Sequence, residues 1–332
     1  MDQKITVLVI GDPHFQVSNI PEMKLMIQNL VKVAQVLKPD FIVCLGDVLH
    51  RHETIHVSPL MLAEIFIENM AMLAPTYVLI GNHDRPNNST FLTNEHPFNS
   101  LKRWPNVTIV DTSITTEHKG SKFTFVPYVP VGRFMEALEN VDYKSSRCIF
   151  AHQEFYGAKM GGIQSENGDK WPLEYPLIIS GHIHDYDRLQ TNILYTGTPM
   201  QSSFGDNMVK TVSQFTFSND GWNETRIDLG LTKKVIVTLR PDELAGFKHD
   251  PNKMTKIIIK GDESELKECL KKEEVKKLKQ LGIAISYKAI PKSLNGFETL
   301  PKKEKYIKRL YDAVCHDQVQ KKWFEELFGT EL

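Results

Sequence analysis

The sequence predicts an α/β fold built from layers of sheet and helix, followed by a small α+β unit. Short apolar runs rich in Val and Ile alternate with helical periods through the first half of the chain, as in folds whose strands and helices form separate layers. With 332 residues, the chain is longer than one hydrophobic core usually grows, which favours one large domain plus a smaller one. The sequence becomes rich in Lys and Glu beyond Leu231.

Seven strands are predicted before Gly181, and two helices separate the first three of them. The helices, 22–37 and 58–73, carry apolar residues at three- and four-residue spacing, which gives each helix one stripe to bury. The strands are short β-branched runs bounded by turn-forming residues. They are predicted at 5–10, 40–45, 76–80, 107–110, 122–126, 147–151 and 177–180.

Beyond Gly181 the strands become shorter and the turn signals more frequent. Strands at 192–195 and 211–217 are expected to form a second, more antiparallel sheet. We place a domain boundary at 232/233. Residues 233–300 are predicted to form the α+β unit, and 301–332 a C-terminal helical segment.

In the α+β unit, strands alternate with one long helix. The strands are predicted at 235–239, 256–260 and 283–289, and the helix at 263–279. Residues 1–232 contain 18 Lys and Arg against 25 Asp and Glu, a charge of −7, whereas 233–332 contain 22 against 16, a charge of +6. A basic segment beside an acidic body suits a polyanionic ligand, although a solvated Lys-rich surface is the alternative.

The cysteines and the N-terminus bear on the compartment. The four cysteines (Cys44, Cys148, Cys269 and Cys315) share no CxxC spacing, so we expect them to be reduced. The chain runs directly into its first strand without a signal-peptide pattern, and no apolar run approaches membrane-spanning length. The expectation is a soluble, cytoplasmic protein with no membrane partner.

Five short motifs predict the chemistry, and each lies where a predicted strand ends. Four of them place a Gly directly before a polar residue, consistent with a sharp turn that lets the backbone crowd a pocket. Two Asp, one Asn and four His delivered from strand ends are typical of a pair of adjacent divalent cations. The motifs are Asp12-Pro13-His14, Gly46-Asp47, Gly81-Asn82-His83-Asp84, Ala151-His152 and Gly181-His182-Ile183-His184.

The mixture of ligand types indicates which cations are involved. Carboxylate, amide and imidazole together favour Mn²⁺, Fe²⁺ or Zn²⁺, and the lack of thiolate argues against structural zinc. Mn²⁺ is the expected cofactor. Asp47 is the candidate bridge between the two cations, and a hydroxide held between them would attack phosphorus while His83 acts as general acid.

In these residues the chain resembles the calcineurin-like metallophosphoesterase family, whose pattern D-x-H, G-D, G-N-H-[DE], H and G-H-x-H is matched in order from Asp12 to His184. The resemblance implies two packed mixed β-sheets flanked by helices. It also implies two ligand sets, in which Asp47 is shared. The first is Asp12, His14, Asp47 and His184, and the second is Asp47, Asn82, His152 and His182. In the same family the histidine of G-N-H lies beside the scissile phosphate, which gives His83 that role and makes Asp84 its partner.

Within the family, the chain is similar to the SbcD-type recombination nucleases, which work on broken DNA with an SbcC-type coiled-coil ATPase. His50 lies where many of them keep a second functional histidine. The turn at 195–199 is similar to one that they place beside the metals, and the α+β unit looks like their DNA-capping domain. This resemblance implies a DNA exonuclease and endonuclease, with DNA, the ATPase and a second copy of the chain as partners.

Departures and alternatives accompany this interpretation. His50 and His52 replace residues that protein Ser/Thr phosphatases of the family would carry, which counts against that branch, and the short tail suggests a phage or viral form. His50 could be only an exposed loop residue, and Asp84 could cap a turn. The helices at 22–37 and 58–73 could be only core, and the C-terminal helix could pack on its own domain. Two rival functions are a small phosphodiester or nucleotide hydrolase and a DNA-end binding subunit that regulates an ATPase.

Overall fold

The computed structural model describes residues 4–52, 54–290, 311, 312, 315 and 318–328. These residues form seventeen strands and six α-helices. The helices are α1 (Ile20–Leu37), α2 (Val57–Ala71), α3 (Phe134–Ala137), α4 (Glu263–Cys269), α5 (Glu273–Gln280) and α6 (Gln318–Phe328). The strands are β1 (Ile5–Ile10), β2 (Phe41–Cys44), β3 (Thr76–Leu79), β4 (Val107–Val110), β5 (Ile114–His118), β6 (Ser121–Val126), β7 (Cys148–His152), β8 (Lys159–Met160), β9 (Ile163–Gln164), β10 (Leu177–Gly181), β11 (Asp187–Gln190), β12 (Ile193–Tyr195), β13 (Val212–Ser218), β14 (Gly221–Ile227), β15 (Lys233–Leu239), β16 (Lys253–Gly261) and β17 (Ala284–Ala289).

Two six-stranded mixed sheets form the larger part of the fold. The first has the strand order β14-β13-β1-β2-β3-β4, and the second has the order β11-β12-β10-β7-β6-β5. In the first sheet β1 to β4 are parallel, and β13 pairs antiparallel with β1. In the second sheet β6, β7, β10 and β12 are parallel. The predicted α/β fold with two mixed sheets flanked by helices is confirmed.

The prediction that strands beyond Gly181 form a separate, more antiparallel sheet is wrong. β12 runs parallel to β10 in the second sheet, whereas β13 and β14 extend the first sheet on the far side of β1. Strand patterns were recognisable in the sequence, but the pairing partners lie about two hundred residues away, as in Ile5 opposite Phe217. Local sequence carries little information about such distant pairing.

Both faces of the sheets are packed, which explains why the strands are continuous apolar runs in the sequence. In β1, Leu8 and Ile10 join the core beneath α1 and α2, while Val7 and Val9 point into the core between the two sheets. A third apolar cluster covers the outer face of the second sheet and contains Ile149, Ile178 and Ile193. The strands are thus held rigidly from both sides.

Helix α1 begins and ends at residues whose backbone preferences suit those positions. Pro21 lies in its first turn, where a missing N–H has no intrahelical partner to lose. Lys38 ends the helix with a left-handed backbone (φ 47°, ψ 60°), and its N–H donates to the Ala34 carbonyl. Pro39 follows and prevents continuation.

The chain consists of two compact units. The first contains residues up to Val237 with 248–257 and 282–284, and the second contains 238–247, 258–281 and the residues from Ile285 onward. The sheet β15-β16-β17 is three-stranded. The helix predicted at 263–279 is two helices, α4 and α5. In α4, Asp262 and Glu265 form a capping box.

The predicted C-terminal helical segment is described only in part. Residues 301–310, 313, 314, 316, 317 and 329–332 of this segment lie outside the described residues, and so do 291–300 in the preceding unit. The helix α6 at Gln318–Phe328 falls within the predicted helical range.

Candidate metal centre

The strand ends of both sheets bring the predicted ligands to one place. Asp12 and His14 follow β1, Asp47 follows β2, and Asn82 follows β3. His152 is the last residue of β7, and His182 and His184 follow β10. Because parallel strands deliver their carboxyl ends to the same edge, residues more than 170 positions apart become neighbours.

Two groups of side chains could each hold a cation. One contains Asp12, His14 and His184, and the other contains Asp47, His152 and His182; within each group the ligand atoms lie within 4.8 Å of one another. Except for His182 and the more exposed His184, these residues are buried. The two groups correspond to the two ligand sets that the family resemblance implies, apart from the amide of Asn82 and the sharing of Asp47.

Asn82 and Asp47 link the two groups. The Asn82 Oδ1 lies 3.0 Å from both His152 Nε2 and His182 Nδ1. The Asp47 Oδ2 lies 3.4 Å from His152 Nε2 and 3.8 Å from His14 Nε2, which belongs to the other group. Asp47 therefore stands where a bridging carboxylate is needed.

Hydrogen bonds to the backbone orient the ligands. The Nδ1–H of His152 donates to the Leu45 carbonyl at 2.8 Å, which leaves Nε2 directed at Asn82 and Asp47. The His182 N–H donates to the Asp12 Oδ2 at 2.7 Å. Such outer contacts fix the tautomer and the ring plane of a ligand before it meets a cation.

Backbone strain concentrates at the ligands. Seven of the described non-glycine residues have positive φ, and three of them are His14 (48°), Asp47 (47°) and His182 (78°). An L-residue in this region costs of order 1 kcal/mol or more and persists where the surrounding structure enforces it. The fold therefore holds these three side chains in place at a cost to its own stability.

The glycines before the predicted ligands mainly allow neighbouring strand ends to approach closely, and only one of them forms a sharp turn. Only Gly46 of the four has a positive φ, at 106°. A Cβ on Gly81 would overlap the Asp47 carboxylate, and one on Gly181 would overlap Asp12 Oδ1 and lie 2.9 Å from His152 Nδ1. The expected sharp turn is thus found at Gly46, while Gly81 and Gly181 lie where two strand ends meet.

The charges at the site are strongly perturbed. Burial raises the pKa of Asp12 to about 8, with neighbouring Asp47 adding to the rise. Burial alone would raise the pKa of Asp47 as well, but the facing His152 and His14 rings hold it well below its usual value. Burial would lower the pKa of His152, yet the carboxylates of Asp47 and Asp12 raise it to about 9. Without cations, a proton on His152 supplies part of the positive charge that the carboxylates require.

The donor set fits a pair of divalent cations. The Nε2 atoms of His14 and His184 lie 2.9 Å apart, and both belong to the first ligand group. The buried Oδ1 of Asp12 has no hydrogen-bond partner among the described residues. Carboxylate oxygens, an amide oxygen and imidazole nitrogens suit Mn²⁺, Fe²⁺ or Zn²⁺.

Asp84 has a different partner from the one expected. Its carboxylate accepts backbone N–H groups of Val48 (3.1 Å), Leu49 (2.9 Å) and Gly81 (3.0 Å), while the Nδ1 of His83 lies 2.7 Å from the His50 carbonyl instead. Asp84 is buried, and burial together with Asp47 raises its pKa to about 7. It ties the loop after Asp47 to the loop that carries Asn82.

His83 and His50 flank the opening of the site. The His83 N–H donates to Asp47 Oδ1 at 2.8 Å, and its Nε2 lies 4.0 Å from Asp47 Oδ2. The rings of His50 and His83 are nearly parallel, with centroids 5.9 Å apart, and the His50 ring lies 5.3 Å from that of His14. His50 therefore belongs to the site's surroundings rather than to a distant loop.

Sequence reasoning did not single out Glu154 or Lys210. The Glu154 Oε2 lies 3.8 Å from His182 Nε2, the ring atom opposite the one that faces Asn82. Lys210 is buried, and its Nζ donates to the His184 carbonyl at 2.7 Å and to Asp185 at 3.0 Å. The only local signal for Glu154 was an acidic residue two positions after a strand-end histidine.

The turn at 195–199 also lies at the site. The Thr198 N–H donates to the His184 carbonyl at 3.0 Å, beside the Lys210 contact. The Gly197 carbonyl packs so closely on Gly11 that no Cβ would fit there. The turn thus supports both strand ends that carry the first ligand group.

A family model described as calcineurin-like phosphoesterase matches residues 5–186, which include every predicted ligand. The chain belongs to the calcineurin-like phosphoesterase family. Members of this family of hydrolases use divalent metal ions, in keeping with the ligand groups described above. No helix among the described residues is long and apolar enough to cross a membrane.

Two viral relatives of this phosphoesterase align over most of their length. "Putative phosphoesterase 078R" of Invertebrate iridescent virus 3 is 38% identical over 94% of this chain and 93% of its own. "Putative phosphoesterase 244L" of Invertebrate iridescent virus 6 is 40% identical over 81% of this chain and 98% of its own.

A more distant relative and a solved structure were also found. "Exonuclease subunit 1" of Enterobacteria phage T4 is 26% identical over 62% of this chain and 68% of its own. The solved structure of Yfce, a phosphoesterase from E. coli, matches with a TM-score of 0.34 and 12% identity over 65% of this chain and 90% of that one.

Proposed function

We propose that this phosphoesterase is a two-metal-dependent DNA nuclease, with exonuclease and endonuclease activity, that acts in recombination or double-strand break repair with Mn²⁺. The observation that carries the proposal is the similarity to the T4 exonuclease subunit, which covers 62% of this chain and so includes more of it than the family match at residues 5–186. The two histidines beside the metal centre, His50 and His83, support it.

The chain's residues have separate tasks in phosphodiester hydrolysis. When bound, two cations would supply Lewis-acid polarisation of the phosphoryl group and activation of water. Asp47, which faces histidines of both ligand groups, would hold both cations, and Asn82 and His152 would hold the second one. Buried positions and backbone hydrogen bonds keep these ligands oriented as charge develops on the phosphorane-like transition state, so little reorganisation is needed.

His83 donates the proton to the leaving oxygen. The bond from its Nδ1–H to the His50 carbonyl fixes the ring and leaves Nε2 facing the opening of the site. In its imidazolium form, His83 also carries a proton on Nε2. As the oxygen of water bonds to phosphorus and releases a proton to solvent, the bond from phosphorus to the leaving oxygen breaks, and that oxygen takes the Nε2 proton. General acid catalysis of this kind contributes roughly 10²–10⁴-fold.

The charge of the second compact unit favours a polyanion. Its helices α4 and α5 and the turn between them expose Lys267, Lys271, Lys272, Lys276 and Lys277. Basic residues that neutralise phosphates supply much of the affinity for DNA. Part of this charge is balanced internally, since Lys267 pairs with Glu263 and Lys276 with Glu273. This unit is proposed as the DNA-capping domain.

Partners are part of the same proposal. The outer faces of α1 and α2 expose Leu25, Met61 and Ile65, and a groove between these helices is lined by Ile27, Val31 and Leu62. Contiguous apolar surface of this kind is typical of interaction sites. We propose that two copies of the chain pair there, and that an SbcC-type ATPase binds the complex.

The proposal is tested with purified protein, Mn²⁺ and two substrates. We expect cleavage of linear single- and double-stranded DNA, and its loss in Asp47→Asn, with Asp220→Asn in the exposed β13–β14 turn as the matched control. Cleavage of a small phosphodiester with both DNA substrates left intact would contradict the nuclease assignment while leaving the family assignment in place. Light scattering then gives the number of copies.

A further inference from the structure

A cavity opens beside the metal centre, between the chain that follows β1 and the loop that precedes α2. Its volume is about 260 Å³, slightly below the roughly 300–1,000 Å³ of pockets for drug-sized ligands. It is lined by Phe15, Gln16, Val17, Ser18, Leu49, His50, Arg51, Thr54, Ile55, His56 and Pro59. We call it the His50 cavity.

The inner wall of the His50 cavity is apolar, and both apolar and polar side chains lie at its mouth. Phe15, Leu49 and Pro59 are buried beneath it. Val17 and Ile55 are 54% and 47% exposed, a high degree of exposure for apolar residues at the mouth of a cavity. The side chains of Gln16, Ser18 and Thr54 offer hydrogen-bond donors and acceptors at the edge. A flat, neutral, apolar-faced group with polar edges matches this lining.

The cavity is continuous with the metal centre through its backbone. Phe15 directly follows the ligand His14, and its N–H donates to the Val48 carbonyl at 2.8 Å. The His50 N–H donates to the Phe15 carbonyl at 3.2 Å. His50 forms a wall of the cavity, and its ring lies 5.3 Å from that of His14. A group held in the cavity is therefore near a phosphate held at the cations, within the length of one nucleotide.

His83 connects the wall of the cavity to the metal centre. Its Nδ1 bonds to the carbonyl of His50, and the two rings are nearly parallel. Its backbone N–H donates to Asp47 Oδ1 at 2.8 Å. A nucleotide whose phosphate is held at the cations therefore has the cavity within reach.

We propose that the His50 cavity binds the nucleobase of a nucleotide next to the scissile phosphodiester. The inference rests on the proposed nuclease function and adds a subsite to it. The base would pack between Val17 and Ile55, with its edges on Gln16 and Thr54. Arg51, exposed at the mouth, would face the sugar-phosphate chain that leads into the site.

The test uses an oligonucleotide in which a single phosphodiester is cleavable and all other linkages are methylphosphonates. Three versions are compared with Mn²⁺ and the full-length protein: intact, abasic on one side of the cleavable bond, and abasic on the other. We expect the abasic site on one side of the bond to lower kcat/KM about tenfold and the abasic site on the other side to leave it unchanged, because only one of the two bases loses buried apolar contacts.

Filling the cavity separates a base subsite from a general DNA contact. In Val17→Trp, the ratio of kcat/KM between intact and abasic substrates should fall towards one, because the base no longer has a place to bind. The control is Val36→Trp, the same substitution at the far end of α1, where Val36 is 82% exposed. It should keep the wild-type ratio.

Three results would overturn the inference. Equal abasic costs on the two sides of the bond, or no abasic cost at all, would show that the cavity does not hold one particular base. An unchanged ratio in both Val17→Trp and a second filling variant, Ile55→Trp, would place the base elsewhere. DNA cleavage by the wild type in these cases leaves the proposed function standing, whereas absence of all DNA cleavage ends both proposals.

Discussion

The backbone carbonyl of His50 accepts a hydrogen bond from the Nδ1 of His83 at 2.7 Å, across 33 positions of sequence. This contact selects the tautomer in which Nδ1 carries a proton, and it aims Nε2 at the opening of the metal centre. A carbonyl is a neutral acceptor, so it orients the ring without adding a negative charge beside the phosphate. A histidine held in this way can be removed without disturbing the cation ligands.

The first prediction concerns His83. We expect His83→Ala to lower kcat on DNA by roughly 10²–10⁴-fold, because a positioned proton donor contributes that much. Cation stoichiometry and DNA affinity should stay near those of the wild type, since His83 is outside both ligand groups. Single-turnover rates and fluorescence anisotropy measure the two effects. A variant that loses DNA binding in proportion to rate would instead assign His83 to substrate binding.

The second prediction concerns Glu154, which lies 3.8 Å from His182 Nε2 and accepts a hydrogen bond from Ser165. Carboxylates that contact a metal-binding histidine orient the ring and raise its basicity, and their loss typically costs 10–100-fold in metal affinity. We expect a decrease of about that size for one of the two cations in Glu154→Gln.

Isothermal titration with Mn²⁺ measures this decrease, and Glu166→Gln is the matched control, because Glu166 is exposed and follows β9. Equal Mn²⁺ affinities in the wild type and Glu154→Gln would show that the contact between Glu154 and His182 does not contribute to cation binding. The ring nitrogen shifts of His182, measured by NMR without cation, give a second readout that does not depend on activity.

The third prediction concerns the glycine before His182. A Cβ on Gly181 would overlap the Asp12 carboxylate, so Gly181→Ala should destabilise the fold by about 1–3 kcal/mol or more and displace a ligand. Gly162→Ala is the control, since nothing lies within 4 Å of its Cβ position. Thermal unfolding and bound-metal analysis distinguish the two variants. Equal stability would mean that the strand ends can separate freely.

The fourth prediction concerns pH. Burial raises the folded-state pKa of Asp12 from 3.8 to about 8, so between these values the cation-free folded protein holds a proton that the unfolded chain has lost. The carboxylates facing His152 raise its pKa from 6.5 to about 9 against the effect of burial, and its stabilising charge is lost as pH rises through that range. Both effects lower the stability of the cation-free protein between pH 7 and 9.

Cation binding should reverse this dependence. At pH 7 the cations must displace the protons of Asp12 and His152, so binding releases protons and its affinity rises towards pH 9. Thermal unfolding at pH 7 and 9, with chelator or with Mn²⁺, measures both trends. A cation-free protein that becomes more stable on going from pH 7 to 9 would contradict the charge arrangement inferred for this site.

Residue types at strand ends were sufficient to predict where the ligands lie. A Val- and Ile-rich run fixes a strand, and a polar residue just beyond it must lie at the sheet edge, as for Asp12 after β1 and Asp47 after β2. The α/β class, the bounds of β1 and the position of α1 followed from the same periodicity. These features depend on local sequence, which is why they could be predicted.

The features that sequence did not reveal depend on distant contacts. The bonds of Asp84 to Val48 and Leu49 span 36 and 35 positions, and nothing in the motif distinguishes them from a bond to His83. The addition of β13 beside β1 depends on pairing across two hundred residues. Lys210 lies in an unremarkable loop and acquires its role only because the His184 carbonyl passes nearby.

The left-handed backbone at His14, Asp47 and His182 has a consequence for how the protein acquires its cations. Because the scaffold itself bears this strain, we expect cation loading to require little rearrangement of the main chain. Cations of similar radius could then replace one another at this site, because the backbone and not the cation sets the positions of the ligands. Which of them is resident would follow from the surroundings in which the protein works.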